Sequence, residues 1–86
     1  MITIELFGVP RLRAGVGRVD LDAADVASAL AALGRACPGL DGTVILGGAV
    51  HPAYKLSLNG DRFVTDPATP LAPGDALLLL AADVGG

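Results

Sequence analysis

The stretch Ala76-Leu77-Leu78-Leu79-Leu80-Ala81-Ala82-Asp83-Val84-Gly85-Gly86 decides how the chain is read. Its four consecutive leucines put apolar side chains on both faces of an extended segment, the pattern of a strand in the middle of a sheet. The end of the stretch is the opposite kind of sequence. Two adjacent glycines cannot hold a helix or strand cheaply, because glycine loses more backbone freedom on ordering than any other residue. Residues 82–86 are therefore expected to form a mobile tail. With no Cβ at 85 or 86, the backbone can thread a channel that a side chain would block. Fully extended, such a tail reaches about 17 Å. With Gly86 as the last residue, its carboxylate could be delivered into another protein's active site. Glycine is 12 of 86 residues, so a terminal pair alone is weak evidence, and the fold in front of it must carry the weight.

Eighty-six residues make one domain, and 52% hydrophobic with 17% charged residues is the composition of a folded one. Three aromatics (Phe7, Tyr54 and Phe63) leave the core to aliphatic side chains. Net charge is −3 and the basic residues are scattered singly, so no patch exists to neutralise phosphates and nucleic-acid binding is not expected. A single cysteine excludes an internal disulfide and suits a reducing compartment. No apolar run reaches the roughly 18 residues that cross a bilayer. The opening Met1-Ile2-Thr3-Ile4-Glu5 lacks the basic start of a signal peptide. A cytoplasmic protein without membrane contact is the expectation.

From the N-terminus, Ile2 to Phe7 alternates, with Ile2, Ile4 and Leu6 on one face and Phe7 on the other. This predicts a half-buried strand. Gly8, Pro10, Gly15 and Gly17 predict a loop over 8–17. Arg18 to Asp22 alternates again and would pair with the first strand. Asp25 is a good helix N-cap. After it, Val26, Ala29, Leu30, Leu33 and Cys37 share one helical face, which Pro38 and Gly39 terminate. This is the one helix the pattern predicts. Val44-Ile45-Leu46 reads as a short strand, and Gly47-Gly48 and Pro52 as loop. Tyr54 to Leu58 alternates, Asn59-Gly60 predicts a tight turn, and Arg62-Phe63-Val64 a returning strand. Residues 66–75, with three prolines, form a turn-rich crossing to the leucine strand. The order β-β-α-β-β-β predicts an α+β, ubiquitin-like β-grasp: a mixed sheet of four to five strands packed on one main helix, with the last strand beside the first. The domain would span 1–81 and the flexible tail 82–86.

Three stretches resemble the ubiquitin-like sulfur-carrier family, above all the small subunit of molybdopterin synthase, with the thiamine-pathway sulfur carrier as a relative. They are Ile4-Glu5-Leu6-Phe7-Gly8-Val9-Pro10-Arg11-Leu12-Arg13-Ala14-Gly15, then Leu58-Asn59-Gly60 with Asp66-Pro67-Ala68-Thr69-Pro70-Leu71-Ala72-Pro73-Gly74-Asp75, and the terminal Gly85-Gly86. The chain departs from that family in having Ala81-Ala82 where a Pro-Pro pair is frequent, and in a longer segment 41–53. The resemblance implies that an E1-like, ATP-dependent activating enzyme adenylates the Gly86 carboxylate, and that a sulfur donor converts it to a thiocarboxylate. A larger synthase subunit would then use that sulfur to build the molybdenum cofactor's pterin ligand. The chain would not be catalytic alone, and would hold no permanent cofactor. Other acceptors stay open: thiamine thiazole, cysteine, tRNA or a secondary metabolite. So does a protein modifier joined to lysine through Gly86, and a non-covalent binding module whose tail is incidental.

The candidate site is therefore Gly86 as carrier, with Gly85 kept small for the partner's channel. Asp83 and Val84 are candidate partner contacts. Phe7 would open an apolar docking face, joined by one parity of the leucine run, either Leu77 with Leu79 or Leu78 with Leu80; Leu77 and Leu79 are the pair expected here. Residues 40–53 folding over that face is the alternative. Cys37 continues the apolar helix face and is expected to be buried and inert. His51 has no neighbouring ligand at metal spacing, so no metal site is expected. Ser28 has no histidine partner for nucleophilic work. Arg11 and Arg13 read as a solvated loop pair.

Overall fold

The computed structural model describes residues 1–83. Among these residues are seven strands: β1 (Ile2–Leu6), β2 (Arg18–Leu21), β3 (Ile45–Leu46), β4 (Ala49–Val50), β5 (Tyr54–Leu58), β6 (Arg62–Val64) and β7 (Ala76–Ala81). Five of them form one mixed sheet in the order β2-β1-β7-β5-β6. As the leucine run predicts, β7 is central: it pairs parallel with β1 and antiparallel with β5. The main helix, α2 (Val26–Ala36), lies across one face. The core between them is aliphatic, with Ile2, Ile4 and Leu6 of β1, Val26, Ala29, Leu30 and Leu33 of α2, Leu56 and Leu58 of β5, and Leu77 and Leu79 of β7 all buried. Each buried aliphatic side chain contributes about 1.5–3 kcal/mol by leaving water.

Asp25 caps α2, as its position ahead of the apolar helical face predicts. Its carboxylate accepts from the Ser28 N–H at 2.8 Å, and the Ser28 hydroxyl accepts from the Asp25 N–H at 3.2 Å, closing a capping box. The Ser28 amide bond, followed by the Ser28 hydroxyl, holds the Asp25 carboxyl below the usual range. Ser28 is thus spent on the helix start.

Residues 8–14 correct the sequence reading. They form a second helix, α1 (Gly8–Ala14), where the glycines and proline predict a loop. The supposed breakers are its punctuation. Pro10 falls in the first turn, where a missing N–H leaves no bond unmade. Gly15 takes the left-handed conformation at φ 78 and donates its N–H to the Arg11 carbonyl at 3.0 Å, ending the helix. Arg11 and Arg13 therefore sit in the last helical turn, both exposed.

The segment after α2 also holds more structure than its sequence predicts. A 3₁₀ turn (Pro38–Leu40) leads to a small hairpin in which β3 pairs with β4 across Gly47-Gly48. Leu40, Val44 and Ile45 enter the helix-side core, so 38–50 closes that core and does not cover the outer face of the sheet. Gly39 packs directly on α1: a Cβ there would collide with the Arg13 carbonyl.

The crossing from β6 to β7 is clasped by Asn59 and Asp75. The Asn59 backbone N–H donates to the Ala76 carbonyl at 2.7 Å, and its side-chain oxygen accepts from the Ala76 N–H at 2.8 Å. Its amide nitrogen donates to the Asp75 carboxylate at 3.0 Å, whose other oxygen accepts from the Ala72 N–H at 2.8 Å. The Ala72 bond first, then Asn59, lowers the Asp75 carboxyl.

These contacts make two outcomes testable. The bonds to ionised Asp75 stabilise the fold above the ordinary carboxylate value and are lost as pH falls through its lower folded value. Asp75→Asn should therefore lower the melting temperature at neutral pH and flatten its further fall below about pH 4, read by thermal melts across pH. Gly39→Ala should cost about 1–3 kcal/mol in denaturant unfolding, because the Arg13 backbone must move.

Candidate docking face and C-terminal exit

Strand parity divides the leucine run between two environments. Leu77 and Leu79 are 0% exposed in the core under α2. They cannot face a partner, which corrects the expectation that they join Phe7. Leu78 and Leu80 point to the other side of the sheet, each partly exposed. The register puts Leu78 between Glu5 of β1 and Ser57 of β5, and Leu80 beside Lys55. Phe7 continues β1, with its N–H bonded to the Leu79 carbonyl at 3.0 Å, so its side chain falls level with Leu80. It is 44% exposed. Phe7, Gly8, Leu78, Leu80 and Ala81 together line a shallow apolar groove.

Charged and polar side chains share this face of the sheet by strand register. Thr3 donates to the Asp20 carboxylate at 2.8 Å, and Arg18 reaches the same oxygen at 3.2 Å. The Thr3 bond, then Arg18, lowers the Asp20 carboxyl. On the opposite edge, the Lys55 ammonium sits 4.5 Å from the centre of the Phe63 ring, a cation–π contact. Phe63 is 53% exposed. An apolar groove with charges of both signs on the same face is compatible with protein docking. Sequence reasoning missed Phe63 and Lys55. The signal was available: Phe63 has the opposite parity to Val64, which pairs with core residue Leu56.

The groove runs into the exit of the chain. Ala81 pairs with Tyr54 at the end of the sheet, and the Ala82 N–H donates to the Ala53 carbonyl at 2.8 Å. Asp83 is exposed. Val84, Gly85 and Gly86 lie outside the described residues.

The remaining candidates fit bland roles. Cys37 is buried after α2, and burial pushes its thiol up, away from the reactive thiolate. Among the described residues no group of three or more His, Cys, Asp or Glu is placed to hold a metal. No helix among them is long and apolar enough to cross a membrane.

No protein-family model matches the sequence, and no curated protein does. Solved structures do. Small archaeal modifier protein 1 of Haloferax volcanii is 30% identical over 91% of this chain and 92% of its own, with a TM-score of 0.73. The HVO 2177 protein of the same organism is 32% identical over 99% of this chain and 85% of its own, with a TM-score of 0.71. The complex of subunits 1 and 2 of molybdopterin-converting factor from Helicobacter pylori contains a chain 24% identical over 99% of this chain and 97% of its own, with a TM-score of 0.66. At that identity the likeness is one of fold.

The two parities of β7 should respond differently to truncation. Leu79→Ala is expected to cost about 2–5 kcal/mol, as buried leucines do. Leu80→Ser should cost less than about 1.5 kcal/mol, because its side chain already meets water. Urea midpoints of the two variants check the assignment.

Proposed function

The chain belongs to the ubiquitin-like sulfur-carrier family, and from that premise we propose that it carries sulfur as a thiocarboxylate on Gly86. The observation that carries this reading is the continuity of the Phe7–Leu78–Leu80–Ala81 groove with the chain exit. A partner that grips the outer face of the sheet lies beside the root of the tail and can receive its end.

The chemistry rests on what a carboxylate lacks. It is a poor electrophile, so the Gly86 carboxylate must first be activated. A carboxylate oxygen attacks the α-phosphorus of ATP on an E1-like activating enzyme, and pyrophosphate leaves. A sulfur nucleophile then displaces AMP: sulfide, or the terminal sulfur of a persulfide followed by a thiol that releases it. The product is a polarizable sulfur anion on a protein handle. No side chain of this chain acts as base or nucleophile, and no cofactor is bound permanently. Phe7, Leu78 and Leu80 dock the partner, Asp83 and Val84 line the approach, and Gly85 admits the backbone to a narrow channel.

The acceptor we favour is the pterin precursor of the molybdenum cofactor, held by a larger synthase subunit. Its support is the Asn59-Gly60 and Asp66–Asp75 pattern, together with a shared fold whose Helicobacter pylori example assembles from subunits 1 and 2. A second reading is favoured by the 30% identity to a small archaeal modifier protein: Gly86 forms an isopeptide bond to lysines of other proteins.

Intact mass after incubation with an activating enzyme, ATP and a sulfur source should rise by about 16 Da, one oxygen exchanged for one sulfur. The gain should vanish when Gly86 is deleted. An unchanged mass with an enzyme that charges a control carrier would overturn the sulfur reading. Conjugate ladders that survive boiling would establish the modifier reading instead.

A further inference from the structure

The chain exit is held by one hydrogen bond among the described residues, and that bond connects back to the core. The Ala82 N–H donates to the Ala53 carbonyl. Ala53 belongs to a tight turn, His51-Pro52-Ala53-Tyr54, closed by the Tyr54 N–H on the His51 carbonyl at 2.9 Å. Proline at the second position presets that turn. Inside it the Ala53 N–H donates to the imidazole Nδ1 of His51 at 2.9 Å. A side-chain acceptor that takes the N–H two residues on is the role asparagine or aspartate usually plays in turns. The His51 N–H in turn donates at 2.8 Å to the carbonyl of Val44, whose side chain is 0% exposed in the core. The ring also stands edge-on to Tyr54, at 5.9 Å between centroids.

We infer that His51 is a positioning residue that sets where the tail leaves the domain, and that its imidazole makes this setting sensitive to pH. Ala53 is pinned from both sides, by Nδ1 on its N–H and by Ala82 on its carbonyl. An imidazole accepts at Nδ1 only when neutral, with its proton on Nε2; the imidazolium is a donor at both nitrogens. Protonation therefore removes the acceptor and frees the Pro52–Ala53 peptide, which relaxes the backbone angles of Ala53 and so loosens the adjoining Ala53–Tyr54 peptide whose carbonyl holds Ala82. The titratable group packed against the ring is Tyr54, edge-on to it. Lys55 on β5 and Asp83 after Ala82 are the nearest charged positions along the two joined segments, and no hydrogen bond or ion pair connects either to His51. The consequence for Gly86 rests on the carrier reading; the hydrogen-bond relay does not.

Amide hydrogen exchange by NMR on the full-length chain tests the relay without any activating enzyme. Imidazoles titrate between about pH 5 and 8, so protection factors are compared at those two ends. In the wild type, Ala53 and Ala82 should lose about three- to tenfold of their protection at the acid end, the worth of one neutral hydrogen bond. Leu6 and Leu79 in the central strands should keep theirs. His51→Ala should show the reduced values at both pH values. His51→Asn, whose carbonyl accepts the same N–H at any pH, should restore protection and abolish the pH dependence. Equal protection of Ala82 in wild type and His51→Ala overturns the inference, and so does a pH-independent wild type. Should His51→Ala not fold, the wild-type and His51→Asn profiles decide alone. A normal mass gain on Gly86 beside a failed exchange result would sink the relay and leave the carrier reading standing; the reverse would do the opposite.

Discussion

The pairing of β7 with both β1 and β5 is the constraint on which the rest of the molecule depends. A parallel neighbour on one side and an antiparallel neighbour on the other pair the backbone of β7 from both sides over Leu77–Leu79. This lets the strand be apolar on both faces. Leu77 and Leu79 go under α2, and Leu78 and Leu80 go to the outer face. One strand thereby serves as the core of the domain and as the floor of its outer-face groove. It is the last strand among the described residues, so the segment after it departs from the sheet's centre and not from an edge.

The remaining elements keep that strand in place. The Asn59–Asp75 clasp fixes where β7 begins, by tying the β5–β6 turn to residues 75 and 76. Near its end, Phe7 and Ala53 bond to Leu79 and Ala82 from opposite sides. α1 and the 3₁₀ turn meet at Gly39, where the approach is too close for any side chain. The helix-side core is thus sealed by the segment 38–50, and the outer face stays open to water.

The carboxylates and the thiol whose ionisation is shifted serve the fold. Carboxylates Asp20, Asp25 and Asp75 are lowered by bonds that build structure: a strand pair, a helix cap and a turn. Cys37 is raised by burial. None is poised for proton transfer or attack near neutral pH. On the carrier reading proposed above, the reactive atom would be the Gly86 carboxylate and the charging enzyme would supply the acid, base and nucleophile.

Much of this was legible in the residues alone. Alternation in 2–6 and 54–58, the helical spacing from Val26 to Leu33, the Asp25 cap and the double-faced leucine run are local patterns, and local patterns are written by the physics of a single segment. α1 was hidden because a seven-residue helix is too short to show a face, and its glycine and proline are caps that read as breakers. The β3–β4 hairpin was hidden because two-residue strands carry no period. Which leucines lie on the outer face was undecidable from spacing, since every residue of the run is apolar; only the placement of α2 over Leu77 and Leu79 breaks the tie. The link from His51 through Ala53 to Ala82 likewise joins residues far apart in the chain, and only the antiparallel register of β5 and β7 brings them together.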